Sequence, residues 1–119
     1  MLICISSQGP DLDSQVDPRF GRAAQFIIVD TETGEAKAVD NNQNLQAAQG
    51  AGIQAGMTVA NTGAKALLTG HCGPKAYVTL NKAGIEVYTG CNGTVAQAIE
   101  DFKAGKLQKA AGADVEGHW

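Results

Sequence analysis

Short apolar runs separated by glycine-rich or polar turns set the rhythm of this chain. Leu2-Ile3-Cys4-Ile5 is a compact apolar run of strand type. Residues 6–25 then show neither a helical nor an alternating pattern. Loops of that length inside a compact domain are uncommon and are usually functional or disordered. Phe26-Ile27-Ile28-Val29-Asp30 reads as a second buried strand. Thr31-Glu32-Thr33-Gly34 is a turn, and the alternation over 35–39 adds a third strand, so the pair is expected to form a hairpin. From Leu45 to about Asn61, alanines with Ile53, Met57 and Val59 fall at helical spacing. Gly50, Gly52 and Gly56 weaken that helix locally but permit close packing against a sheet.

The second half alternates more regularly. Residues 64–69 are a fourth strand, closed by the turn Gly70-His71-Cys72-Gly73. Pro74 suits the first position of a helix, and Gly84 suits its end. Residues 85–89 are a fifth strand, closed by Gly90-Cys91-Asn92-Gly93. Thr94 with Gln97 has the spacing of a capping box, and Val95, Ile99 and Phe102 share one face of the helix that follows, which Gly105 ends. Residues 106–119 show no clear pattern and are expected to be a loosely structured tail. The order is β-β-β-α-β-α-β-α, an α/β domain with a five-stranded mixed sheet flanked by helices. Its later strands are parallel with right-handed crossovers.

The chain has 119 residues, which suits a single domain over 1–119. At 44% hydrophobic it can bury a core without metal or disulfide. The net charge of −3 argues against nucleic acid as a partner but says little about a small anion, which feels local charge. No apolar run is long enough to span a membrane, and the opening apolar run is too short for a signal peptide. Three cysteines, an odd number, fit a reducing, cytoplasmic setting.

In open α/β sheets ligands sit beyond the carboxyl ends of the strands, where the strand order reverses. Three segments are expected to meet there: the long first loop with Arg19, Phe20, Gly21 and Arg22; the turn His71, Cys72, Gly73, Pro74 and Lys75; and the turn Cys91, Asn92 and Gly93. The last two each enter a helix, whose unsatisfied N–H groups and dipole favour an anion. Arg19 and Arg22 supply fixed charge, or tie the loop down through a carboxylate. Phe20 suits an anchor on the core. Cys72 and Cys91 lie ahead of helices, where a thiolate is favoured, and His71 adds a nitrogen ligand. No CxxC occurs, so these three form a weak metal-ligand set, and two small turn residues are the plainer explanation. Cys4 reads as an inert core residue. His118 and Trp119 read as a solvated end.

Val16-Asp17-Pro18-Arg19-Phe20-Gly21-Arg22-Ala23 followed by Phe26–Asp30 resembles the opening of the dinitrogenase iron–molybdenum cofactor biosynthesis family. Gly73-Pro74-Lys75-Ala76, Ala83-Gly84-Ile85-Glu86-Val87-Tyr88, and Gly93-Thr94-Val95 with Gly105-Lys106-Leu107 continue the likeness over nearly the whole chain. The resemblance implies a ribonuclease H-like fold with strand order 3-2-1-4-5 and strand 2 antiparallel. It also implies a non-catalytic carrier of a preassembled anionic metal–sulfur cluster, either an iron–molybdenum cofactor precursor or the molybdenum–copper sulfide that single-domain members hold without a covalent link. Such a carrier is expected to need a protein partner for delivery.

Other functions remain open to the sequence. A two-metal nuclease needs carboxylates on the central strands, and the first strand offers Cys4 instead. A thiol redox protein or a protein-interaction module would use the edge that carries Cys72 and Cys91.

Overall fold

A computed structural model of the chain describes residues 1–41 and 51–110. Strands β1 (Leu2–Ser7), β2 (Gln25–Asp30) and β3 (Ala36–Asp40) come first. Helix α1 (Ala51–Asn61), strand β4 (Ala66–Leu68) and helix α2 (Pro74–Lys82) follow. Strand β5 (Glu86–Thr89), helix α3 (Val95–Lys103) and strand β6 (Gln108–Lys109) complete the order. They build one six-stranded sheet in the order β3-β2-β1-β4-β5-β6. The expected five strands keep their order, with β2 antiparallel to β1 and β3, and β1, β4 and β5 mutually parallel.

Among the described residues the strand count is corrected to six. Residues 108–109 leave the expected tail and pair antiparallel with β5, Tyr88 opposite Lys109 and Thr89 opposite Gln108. Two residues carry no readable period, so only the neighbouring edge of β5 reveals this strand. The Lys109 ammonium sits 3.6 Å from Glu86, and the Ala110 N–H donates to the Val87 carbonyl at 2.7 Å. The expected start of the first helix, 45–50, and the chain end with His118 and Trp119 lie outside the described residues.

Alternation along the central strands divides the core into two layers. Cys4, Phe26, Ile28, Leu67 and Val87 face α1 and α2, meeting Ala55, Val59, Ala76 and Leu80. Ile3, Ile5, Ile27, Val29 and Leu68 face α3, meeting Val95, Ala98 and Ile99. Cys4 is fully buried, as its strand position demands. Gly56 does permit close packing, but against α2 rather than the sheet: a Cβ there would stand 2.9 Å from the Thr79 methyl. At the end of α2, Gly84 adopts φ +76°, the left-handed turn glycine takes readily. Thr94 caps α3 by accepting the Gln97 N–H at 3.1 Å. The reciprocal half of the capping box is not made: the Gln97 side-chain amide reaches forward to Asp101 at 2.9 Å. No described helix is long and apolar enough to cross a membrane.

Candidate functional site

The long first loop is stitched to the sheet rather than left free. The Asp17 N–H donates to the Ser6 carbonyl at 2.9 Å. The Ser6 hydroxyl donates to the Asp17 carbonyl at 2.7 Å and meets the Thr69 hydroxyl at 2.7 Å, all of it buried. Past the end of β4, the His71 N–H donates to the Pro18 carbonyl at 2.8 Å, and the Phe20 N–H to the His71 carbonyl at 3.3 Å. Arg19 and His71 thereby form a parallel bridge. Gly70 makes this approach possible, because a Cβ there would lie 2.6 Å from the Pro18 Cα. The third segment joins from the other side: the Gly90 N–H donates to the Gly70 carbonyl at 2.9 Å and the Cys91 N–H to the Thr69 carbonyl at 3.1 Å.

The two helix starts at this edge differ. Those of α3 are already used. The Val95 N–H donates to the Ser14 carbonyl and the Ala96 N–H to the Leu12 carbonyl, both at 2.9 Å, while Thr94 takes those of Gln97 and Ala98. The expectation that this terminus faces an anion is therefore corrected: the first loop stops it. Helix α2 begins at Gly73 without a side-chain cap, and Pro74 brings no N–H. The N–H groups of Lys75 and Ala76 donate to no described residue. Beside them runs a mainly apolar groove of about 330 Å³, lined by Ile53, Pro74, Lys75, Val78 and Thr79. A larger depression, about 500 Å³, lies at the opposite end of the sheet among Leu2, Ile28, Val39 and Thr62, away from the cationic segments.

Arg19, His71, Pro74, Lys75, Asn92 and Gly93 are exposed here, and Arg22 is half-buried. Phe20 and Gly21 are buried, and the Phe20 ring packs 5.4 Å from that of Phe26. Phe20 thus anchors the loop and offers no surface to a ligand. Gly73 is buried beneath the start of α2.

The cysteines correct a further expectation. Cys72 is fully buried in the layer under α1 and α2, and its thiol donates to the Gly73 carbonyl at 3.7 Å. Cys91 is buried in the layer under α3 and donates to the Tyr88 carbonyl at 3.8 Å. The sheet edge separates them, so they do not converge as a dithiol. Burial pushes the Cys91 thiol up to about 11, with the charge of Asp101 adding to it and a backbone hydrogen bond at Thr69 opposing it. Among the described residues, no three His, Cys, Asp or Glu side chains come together to hold a metal ion. The arrangement suits an anion held by N–H donors and cations beside an apolar wall.

In the sequence Asp17 stands within the Val16–Ala23 run that carries the resemblance, with no role of its own. Its carboxylate is 4% exposed, accepts the Arg19 N–H at 3.0 Å and stands 3.7 Å from Arg19 Nε. The Asp-Pro pair was the available signal for such a turn.

The chain is similar to proteins of known structure over almost its full length. The apo form of the orange protein from Desulfovibrio gigas is 45% identical with a TM-score of 0.94, covering 96% of each chain. A Thermotoga protein of the DUF35 family is 37% identical with a TM-score of 0.84, covering 98% of each. An uncharacterized protein of Methanocaldococcus jannaschii is 33% identical over 82% of this chain and 84% of its own. Residues 1–105 match the family model described as dinitrogenase iron-molybdenum cofactor, and the chain belongs to that family.

Proposed function

We propose that this protein binds and carries a preassembled anionic metal–sulfur cluster, of molybdenum–copper sulfide or iron–molybdenum precursor type, and catalyses no reaction on it. One observation carries the reading: the Arg19–His71 bridge sets the cationic first loop beside the uncapped start of α2. A thiomolybdate-type cluster is multiply charged with soft sulfide edges. Arg19, Arg22, His71, Lys75 and the N–H groups of Lys75 and Ala76 provide donors, and Ile53, Pro74 and Val78 provide an apolar wall. A unit charge pair about 4 Å apart is worth roughly 4 kcal/mol at an effective dielectric of about 20, enough for local cations to act despite the acidic net charge. The buried thiols fit a cluster held by charge and N–H donation rather than through Cys72 or Cys91. The likeness to the orange protein and the family membership support a cluster as cargo. The whole chain, 1–119, acts as one domain of ribonuclease H-like architecture in the cytoplasm, handing its cargo to a protein partner rather than to nucleic acid or membrane.

Titration of the apo-protein with tetrathiomolybdate, followed by absorption, tests this reading. The chain should bind with its circular dichroism unchanged, and more weakly as salt rises. Arg19→Ala with Arg22→Ala should cost about tenfold or more in affinity, more than Cys72→Ser or Cys91→Ser, and should flatten the salt dependence. The melting temperature of the apo-mutant separates lost charge from lost structure. Unchanged affinity in a stable double mutant removes the arginines from the site. Loss of all uptake in either cysteine variant favours direct ligation instead.

A further inference from the structure

We infer that Asp17 is a positioning residue for the anion site: its buried carboxylate holds Arg19 through the backbone N–H and Nε, so that the Nη donors turn to the ligand. This rests on the cluster-binding reading above.

The path of the loop at Asp17 does not need a charge. The Asp17 N–H and carbonyl are already fixed by Ser6, and the Pro18 carbonyl by His71. An asparagine oxygen would accept the Arg19 N–H equally well, since Asn and Asp form the same turn. Burying a carboxylate where a neutral amide would serve is costly unless the charge is paired. The partner at hand is the Arg19 guanidinium, 3.7 Å away at Nε. A guanidinium has five N–H donors, one on Nε and four on the Nη nitrogens. Paired at Nε as an ion pair rather than a hydrogen bond, with 49% of its side chain exposed, Arg19 keeps the Nη pair for an outside acceptor. Its Cα is fixed as well, by the bridge to His71. Backbone and side chain are thus both held before the ligand arrives, which reduces the ordering required on binding.

Asp17 also opposes the charge of Arg19, and this gives the two roles opposite signs. If Asp17 positions Arg19, Asp17→Asn weakens anion binding. If it merely cancels charge, the same variant tightens binding. The experiment is a double-mutant cycle on the full chain, with wild type, D17N, R19A and the double variant titrated with tetrathiomolybdate. The expected result is a loss of about three- to tenfold for D17N, with the double variant no weaker than R19A alone. Tighter binding by D17N, unchanged binding, or losses that multiply in the double variant each overturn the inference. Should D17N fail to fold, nitrogen relaxation of the Arg19 Nε–H in the wild type gives an independent reading. A higher order parameter than at an unpaired arginine is expected, and an equal one overturns the inference. If wild type takes up no tetrathiomolybdate, the cluster reading falls and this one with it. If R19A weakens binding and D17N does not, this inference alone falls.

Discussion

Gly70 stands where two chain segments approach too closely for any side chain. The nearest clash for a Cβ is backbone, the Pro18 Cα at 2.6 Å and the Pro18 carbonyl oxygen at 2.9 Å, so no rotamer change relieves it. Gly70→Ala must push the first loop off the end of β4. We expect a loss of about 1–3 kcal/mol in urea unfolding, the usual cost of overpacking. Weaker tetrathiomolybdate binding should accompany it, because the Arg19–His71 bridge opens with the same movement. Cys91 is buried in the layer under α3. With its thiol raised to about 11, little thiolate is present near pH 8. Iodoacetamide should modify it slowly in the native chain and quickly in urea, with the native rate climbing as pH approaches 11. Fast native labelling near pH 8 would show an activated thiol and revive a redox role.

At the scale of elements, two helices that start at the same sheet edge have different fates because different neighbours reach them. Helix α3 is closed by the Thr94 hydroxyl and by the Ser14 and Leu12 carbonyls. Helix α2 starts with Gly73 and Pro74, which cap nothing through side chains. Thr94→Ala should therefore cost about 1 kcal/mol in thermal or urea unfolding, the worth of an N-cap. On the proposed function it should leave tetrathiomolybdate affinity unchanged, because the proposed anion site lies at the start of α2. A large loss of affinity would place the ligand at α3 instead. The Tyr88–Phe102 contact, edge-on at 5.3 Å, ties the far end of α3 to β5, so the helix does not depend on its cap alone.

For the molecule as a whole, the buried thiols set a limit on alkaline stability. An exposed thiol titrates near 9, whereas Cys91 keeps its proton to about 11 and Cys4 is pushed higher still by complete burial. Below about pH 9 both states are protonated and the fold has its full stability. Above it the unfolded chain releases protons that the folded chain retains, and stability falls with rising pH. The slope is at most about 1.4 kcal/mol per pH unit for each thiol. Urea midpoints measured from pH 8 to 11 should fall, and Cys91→Ala should reduce the fall. A flat profile would mean that the thiols ionise in place.

Much of this architecture follows from local chemistry. The apolar runs of β1 and β2, Pro74 at the start of α2, Gly84 at its end and Thr94 at the cap each have a short-range cause, so sequence alone determined them. The strand order rests on the resemblance, and the structure bears it out while adding β6. That strand is two residues long and exists only because β5 presents an edge to Gln108 and Lys109. The meeting of the Arg19 loop with the His71 turn was expected from the switch-point rule and is present as a backbone bridge. Its details were beyond any local signal. Whether a helix start is open, whether a thiol ionises and which carboxylate holds an arginine depend on groups distant in sequence. Ser14 reaches Val95, the core encloses Cys72 and Cys91, and Ser6 fixes the backbone of Asp17. The pattern of residues determined which elements form and where their ends fall, because caps, turns and periodicity act within a few residues. Only the tertiary structure decided which donors remain for a ligand, because that is settled by what the rest of the chain has already taken.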